Sequence, residues 1–161
     1  MGKDFLNKTR TIFPVRQDEY ESTGKFPDAT VCIECGNVYK NGRWIHPDAQ
    51  IGSAFGQTKC PACRRLEDHR PAGDITIKGP FTQQHHDEIM GRIRRIERKE
   101  RARHPIEKII GIVDEPYQTD ITTSGIHLAR RIGDALHHSF KGDLSYSYGR
   151  GEKSIQVHWE R

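Results

Sequence analysis

From residue 81 onward the apolar positions switch twice between a helical and a strand period. Ile89, Ile93 and Ile96 fall at i, i+4 and i+7, which predicts a helix whose apolar stripe ends at Ile96, while the following "ERKERAR" is polar all round. "IEKIIGIV" and "YQTDITT" then read as strands joined through Pro116. "TTSGIHLARRIGDALHHSF" reads as a capped helix burying Leu128, Ala129, Ile132, Leu136 and Phe140. "LSYSY" and "SIQVHW" alternate strictly across a glycine-rich loop and finish the chain as a hairpin. Helix followed by hairpin thus occurs twice. This order predicts an α+β domain over residues 81–161, a small two-layer α/β sandwich with two helices on one face of a sheet whose strand order the pattern leaves open.

Upstream the periodicity is weaker. "PAGDITIKGP", residues 71–80, is bracketed by prolines and glycines and reads as a linker. Residues 30–70 hold all four cysteines and an Asn41-Gly42 pair flanked by Tyr39 and Trp44, the signature of a tight hairpin turn. Residues 1–29 mix charges and prolines without a sustained period, and are expected to be a flexible arm with apolar anchors such as Phe5, Ile12 and Phe13.

Composition sharpens this division. Of the 161 residues only 34% are apolar and 30% are charged, which leaves thin cores under a charged surface. No run approaches the roughly 20 apolar residues that cross a bilayer, and "MGKDFLNKTR" carries no apolar signal segment, so a cytoplasmic location without a membrane partner is expected. The formal net charge of +4 is small, but sixteen of the basic residues are arginine, the side chain suited to bidentate phosphate contact.

The cysteines form two close pairs, C-x₂-C-x₂₄-C-x₂-C, at Cys32, Cys35, Cys60 and Cys63. In a cytosolic chain this spacing favours metal over disulfide, and four soft thiolates favour a closed structural Zn²⁺ site in a zinc ribbon. Gly36 supplies permissive backbone after the first pair and Pro61 stiffens the second. The alternatives are a redox pair, unrelated buried thiols, or a catalytic zinc in which His46, His69, His85 or His86 replaces a thiolate.

"VCIECGNVYKNGRW", "CPACRRLEDHRPAG" and "TTSGIHLARRIGDAL" together resemble a family of little-characterised bacterial zinc-ribbon proteins over most of the chain. Over residues 30–80 the ribbon more loosely resembles the amino-terminal zinc region of the large-subunit ribosome export adaptor of archaea and eukaryotes. The latter resemblance implies a fold that docks on ribosomal RNA and ribosomal proteins. The adaptor region carries more cysteine pairs than the single set here, so a two-zinc architecture is not implied.

Three local features point to nucleic acid. Lys40, Arg43, Arg64 and Arg65 lie near Tyr39 and Trp44, whose rings either stack on an unpaired base or pack across the hairpin. Residues 92–103 hold Arg92, Arg94, Arg95, Arg98, Lys99, Arg101 and Arg103 against only Glu97 and Glu100, either a phosphate-binding face or a solvated one. In "TTSGIHLARRIG" the helix start, capped by Thr122, Thr123 or Ser124, offers N–H groups to a phosphate beside His127, Arg130 and Arg131; alternatively Arg131 pairs with Asp134 or Asp143. The expected function is a zinc-ribbon RNA-binding protein on the ribosome or a ribonucleoprotein, acting by positioning. No catalysis is expected, because no glycine-rich phosphate loop, nucleophile elbow or metal-ligand histidine spacing occurs. The alternatives are a phosphoester- or nucleotide-processing enzyme using His85/His86 and His137/His138 with Asp87 and Asp134, or a DNA- or protein-binding adaptor in transcription.

Overall fold

The computed structural model describes residues 20, 26–27, 29–47, 56–149 and 153–161. Among these residues it is a mixed α+β structure with two sheets and four helices. The expected anchors Phe5, Ile12 and Phe13 lie outside the described residues.

The first sheet is small. β1 (Thr30–Cys32) pairs antiparallel with β2 (Val38–Lys40), which pairs with β3 (Arg43–Ile45), while β4 (Gly56–Thr58) joins the other edge of β1 in parallel. Asn41 and Gly42 both take positive φ, 51° and 79°, the backbone that a two-residue hairpin with right-handed strand twist demands. Helix α1 (Pro61–Glu67) follows, with Pro61 at its first position, where a missing N–H is tolerated. Tyr20 and Phe26, from the expected arm, are both engaged. The Tyr20 hydroxyl donates to Asp68 at 2.7 Å, and Phe26 packs edge-on against Tyr39 and Trp44.

The second sheet has the order β6-β7-β5-β9-β8, built from β5 (Gly73–Lys78), β6 (Ile109–Glu115), β7 (Gln118–Thr123), β8 (Asp143–Tyr148) and β9 (Ile155–Glu160). Helices α2 (Pro80–Gln84), α3 (His86–Arg103) and α4 (Ile126–Phe140) intervene. The expected linker at 71–80 is corrected here: residues 73–78 are β5, the middle strand, antiparallel to β7 and parallel to β9. Its flanking prolines and glycines end the strand and do not loosen it. The cue lay in the alternation of "DITIK", since Ile75 and Ile77 are buried against the helices and Asp74 and Lys78 point away.

One core joins Ile75, Ile77, Ile121, Ile155, Val157 and Trp159 of the sheet to Ile89 and Ile93 of α3 and Leu128, Ala129, Ile132 and Leu136 of α4. α4 lies so close to β5 that a Cβ at Gly73 would sit 2.3 Å from Thr123 Oγ1 and 2.5 Å from Ala129 Cβ. Among the described residues no helix covers the other face of the sheet. Strand register places Lys78, Gln118, Glu160 and Asp143 in one row there, and Thr76, Asp120, His158 and Ser145 in the next. Asp74, Thr122, Gln156 and Ser147 form a third, so acids dominate this face. Burial, and then the neighbouring Asp120, hold the Asp74 carboxyl above the usual range.

Because neither neighbour at Gly73 is the far end of a flexible chain, Gly73→Ala is expected to overpack the α4–β5 contact. A loss of about 1–3 kcal/mol in urea-unfolding stability is expected; an unchanged midpoint would show that α4 can move away without penalty.

Candidate metal centre and basic surface

The four cysteines come from two backbone devices. Cys32 ends β1 and Cys35 follows in the turn, while Cys60 and Cys63 bracket the start of α1. Their sulfurs all lie within 4.8 Å of one another, and Cys35 Sγ and Cys60 Sγ are 3.7 Å apart. A tetrahedral metal with bonds of about 2.3 Å separates its thiolates by roughly 3.8 Å, so the cluster is of a size to hold a metal ion. Among the described residues it is the only group of three or more His, Cys, Asp or Glu side chains that could do so.

The electrostatics ask for a cation. Burial raises the Cys32 thiol, but N–H groups of Cys35, Cys60 and Glu34 turned toward its sulfur outweigh this and bring it to about 6. The amide of Cys60 is one of these donors, at 3.2 Å. Burial pushes Cys60 upward, reinforced by neighbouring sulfurs, and burial likewise raises Cys63, which the Lys108 ammonium partly offsets. Four thiolates this close repel one another unless a central positive charge compensates them.

Of the two uses expected for Trp44, stacking on a base or packing across the hairpin, the structure shows packing. At 8% exposure Trp44 sits with Cys32, Cys60, Ala62 and Cys63, its ring edge-on to Tyr39 at 5.5 Å and to Phe26 at 6.1 Å. No open ring face remains for stacking. Arg65 is withdrawn as well: 7% exposed, it donates to the Arg70 carbonyl at 3.1 Å and lies over the Tyr20 ring. Arg64 is half-buried and donates to the Thr58 hydroxyl. Lys40 and Arg43 remain exposed, directly opposite each other across the hairpin.

The basic helix is more one-sided than its sequence suggests. Glu97 accepts the Ile109 N–H at 2.8 Å. Glu100, 7% exposed, lies between His127 Nε2 at 3.4 Å and Arg131 Nε at 3.3 Å. The stripe of Ile89, Ile93 and Ile96 therefore continues through these two carboxylates, and both acids of the segment turn toward the domain. Arg95, Arg98, Lys99, Arg101 and Arg103 stay exposed, with no carboxylate within ion-pair distance among the described residues. Arg92 is half-buried and its Nε is shielded from solvent without a hydrogen-bond partner.

The start of α4 is not a free phosphate site. Glu107 Oε2 already accepts the Leu128 N–H at 3.1 Å, and a Cβ at Gly125 would lie 2.1 Å from the same carboxylate. Burial raises the Glu107 carboxyl, with the Leu128 amide, His127 and His104 opposing. The expected caps act elsewhere: Thr123 Oγ1 donates to the Gly125 carbonyl, and Ser124 Oγ donates to the Ile106 carbonyl at 2.5 Å while accepting the Lys108 N–H at 2.9 Å. Arg131 pairs with Glu100, not with Asp134 or Asp143, and Arg130 donates to the Tyr148 hydroxyl. The paired histidines are tied locally: His85 to Glu88, His86 to Asp114, and His137 to the Gly142 carbonyl.

Residues 104–108 join the two halves; 106–108 were expected to begin a strand, but they lie in a loop before β6. Ile106 packs on the cysteine cluster, Lys108 Nζ reaches Cys63 Sγ at 3.5 Å, and His46 Nε2 meets the Arg101 carbonyl at 2.6 Å. Comparison of the chain with known protein families, curated proteins and solved structures finds no match to any of them.

Lys108 offsets thiolate charge from outside the ligand set, so Lys108→Ala is expected to lower metal retention about tenfold in chelator competition, whereas Cys60→Ser should abolish it. Unchanged retention in the lysine variant would remove Lys108 from the site's electrostatics. Glu107 supplies a pH signature. A carboxyl raised in the folded state binds its proton there more readily than in the unfolded chain, so acidification through that raised range adds stability. The gain should be present in the parent and missing in Glu107→Gln, as read from urea midpoints across pH.

Proposed function

We propose that the protein is a zinc-stabilised RNA-binding protein that acts by positioning, in the cytoplasm, on ribosomal RNA or a ribonucleoprotein. The observation that carries this reading is the inward turn of Glu97 and Glu100, which leaves Arg95, Arg98, Lys99, Arg101 and Arg103 exposed with no carboxylate within ion-pair distance among the described residues. Such a surface attracts polyphosphate by releasing condensed counterions, and arginine adds bidentate geometry. Zinc is the metal favoured by an all-sulfur set of this size, and four protein ligands leave no position for water, which supports a structural and not a catalytic role. The ribosome enters through the ribbon's resemblance to the export adaptor's zinc region.

Changing Arg95, Arg98 and Lys99 together to Ala is expected to weaken binding to all RNA sequences alike, and to reduce the salt slope by roughly one unit per lost phosphate contact. The measurement is a titration of labelled RNA and isolated ribosomal subunits at several salt concentrations. A triple variant that binds as tightly as the parent at low salt would reduce the cations of α3 to a solvated face and move the search to protein partners.

A further inference from the structure

The exposed cations of α3 are sorted into two rows, and their arrangement specifies more than a negative partner. At about 100° per residue, Arg94, Arg98 and Arg101 recur at i, i+4 and i+7 along one flank, while Arg95, Lys99 and Arg103 recur at i, i+4 and i+8 along another. Between the flanks on the inner side lies the stripe of Ile89, Ile93, Ile96, Glu97 and Glu100, so the rows face outward and diverge. On a helix about 10–12 Å across, rows separated by roughly 130° stand on the order of 10 Å apart. Each row runs for roughly 10–12 Å. We propose that α3 binds the two phosphate strands of an A-form RNA duplex, one row to each strand, without reading the bases; this rests on the RNA-binding reading above.

Three observations favour a duplex of this form. A single strand presents one line of phosphates and would leave one row idle. Trp44, in the ribbon that continues this surface, is packed, so an unpaired base gains no stacking from it. α3 also packs along α4 through its inner stripe, so it is offered to a partner as part of a broad surface. The wide, shallow minor groove of A-form RNA accepts such a surface from outside. The ribbon extends the track. His46 touches the Arg101 carbonyl, and Arg43 lies three residues before it, roughly 10 Å along the strand.

The test compares a perfectly paired RNA duplex, a single strand of the same length, and a B-form DNA duplex, using the full chain with metal bound. Three proteins are measured: the parent, Arg94→Ala/Arg98→Ala/Arg101→Ala, and Arg95→Ala/Lys99→Ala/Arg103→Ala, each checked by circular dichroism. The parent should prefer the RNA duplex over both other probes by tenfold or more at moderate salt. Either row variant should lose that preference and reduce the duplex salt slope by two to three units, while binding to the single strand changes less than threefold. Equal affinity of the parent for single strand or DNA, or a loss confined to one row, would overturn the duplex assignment and leave RNA binding standing. No binding to any RNA at low salt would sink both.

Discussion

The hydroxyl of Ser124 is the contact on which the two halves of the molecule depend. It donates to the Ile106 carbonyl and accepts the Lys108 amide, while the Ser124 amide donates to the Lys108 carbonyl. Three consecutive residues are thereby fixed, and each serves a different partner. Ile106 covers the cysteine cluster, Glu107 caps α4, and Lys108 approaches Cys63. A buried hydroxyl with both a donor and an acceptor partner is fully used, and losing it would leave a backbone amide without a partner. The ribbon is consequently not a bead on a string. Its cysteine cluster and the start of α4 are separated by a single loop whose conformation both must share.

A second constraint governs the surface. The net charge of +4 conceals a separation of sign across the domain. The open sheet face carries Asp74, Asp120, Asp143 and Glu160 against Lys78 and His158, whereas the outer side of α3 carries only cations beyond Arg92. Burial of Glu100 is tolerated because Arg131 and His127 flank it. Were Glu97 and Glu100 outward, they would pair with Arg101 at i+4 and Arg103 at i+3 and weaken the field of the helix. A molecule so polarised meets a polyanion helix-first, since the potential on the other face opposes contact.

The sequence was most legible where one face of an element meets a core. The 3.6 period of α4 and the alternation of β9 need only apolar burial to be right, and Leu128, Ile132, Leu136, Val157 and Trp159 are all buried. The four-cysteine cluster was legible for a different reason, because thiolate chemistry restricts spacing tightly. Legibility failed where a residue type has two physical uses. Gly73 and Gly79 looked like linker punctuation, yet Gly73 is required by the approach of α4. Arg65 and Trp44 looked like a nucleic-acid surface, yet their long or flat side chains fill the ribbon. Glu97 and Glu100 looked like charge neutralisation, although their helical phase already placed them on the apolar stripe. The cap of α4 came from Glu107, far from the helix in sequence, a choice no local pattern could reveal.

With its ribbon aromatics spent on packing, the protein has little means of reading bases beside its exposed cations. On the proposed reading, selectivity must then come from where cations are held, not from what they touch, because an isolated arginine cannot tell one phosphate from another. Positions are held by rigid connections. The hairpin that carries Lys40 and Arg43 is anchored by Trp44 to the cysteines, the cysteines by Ile106 and Lys108 to the domain, and the domain by Ile89 and Ile93 to α3. The cysteine cluster thus fixes the ribbon's cations relative to those of the helix. Its contribution to binding is geometric, exerted through a chain of packed residues that ends at the same helix that carries the charge.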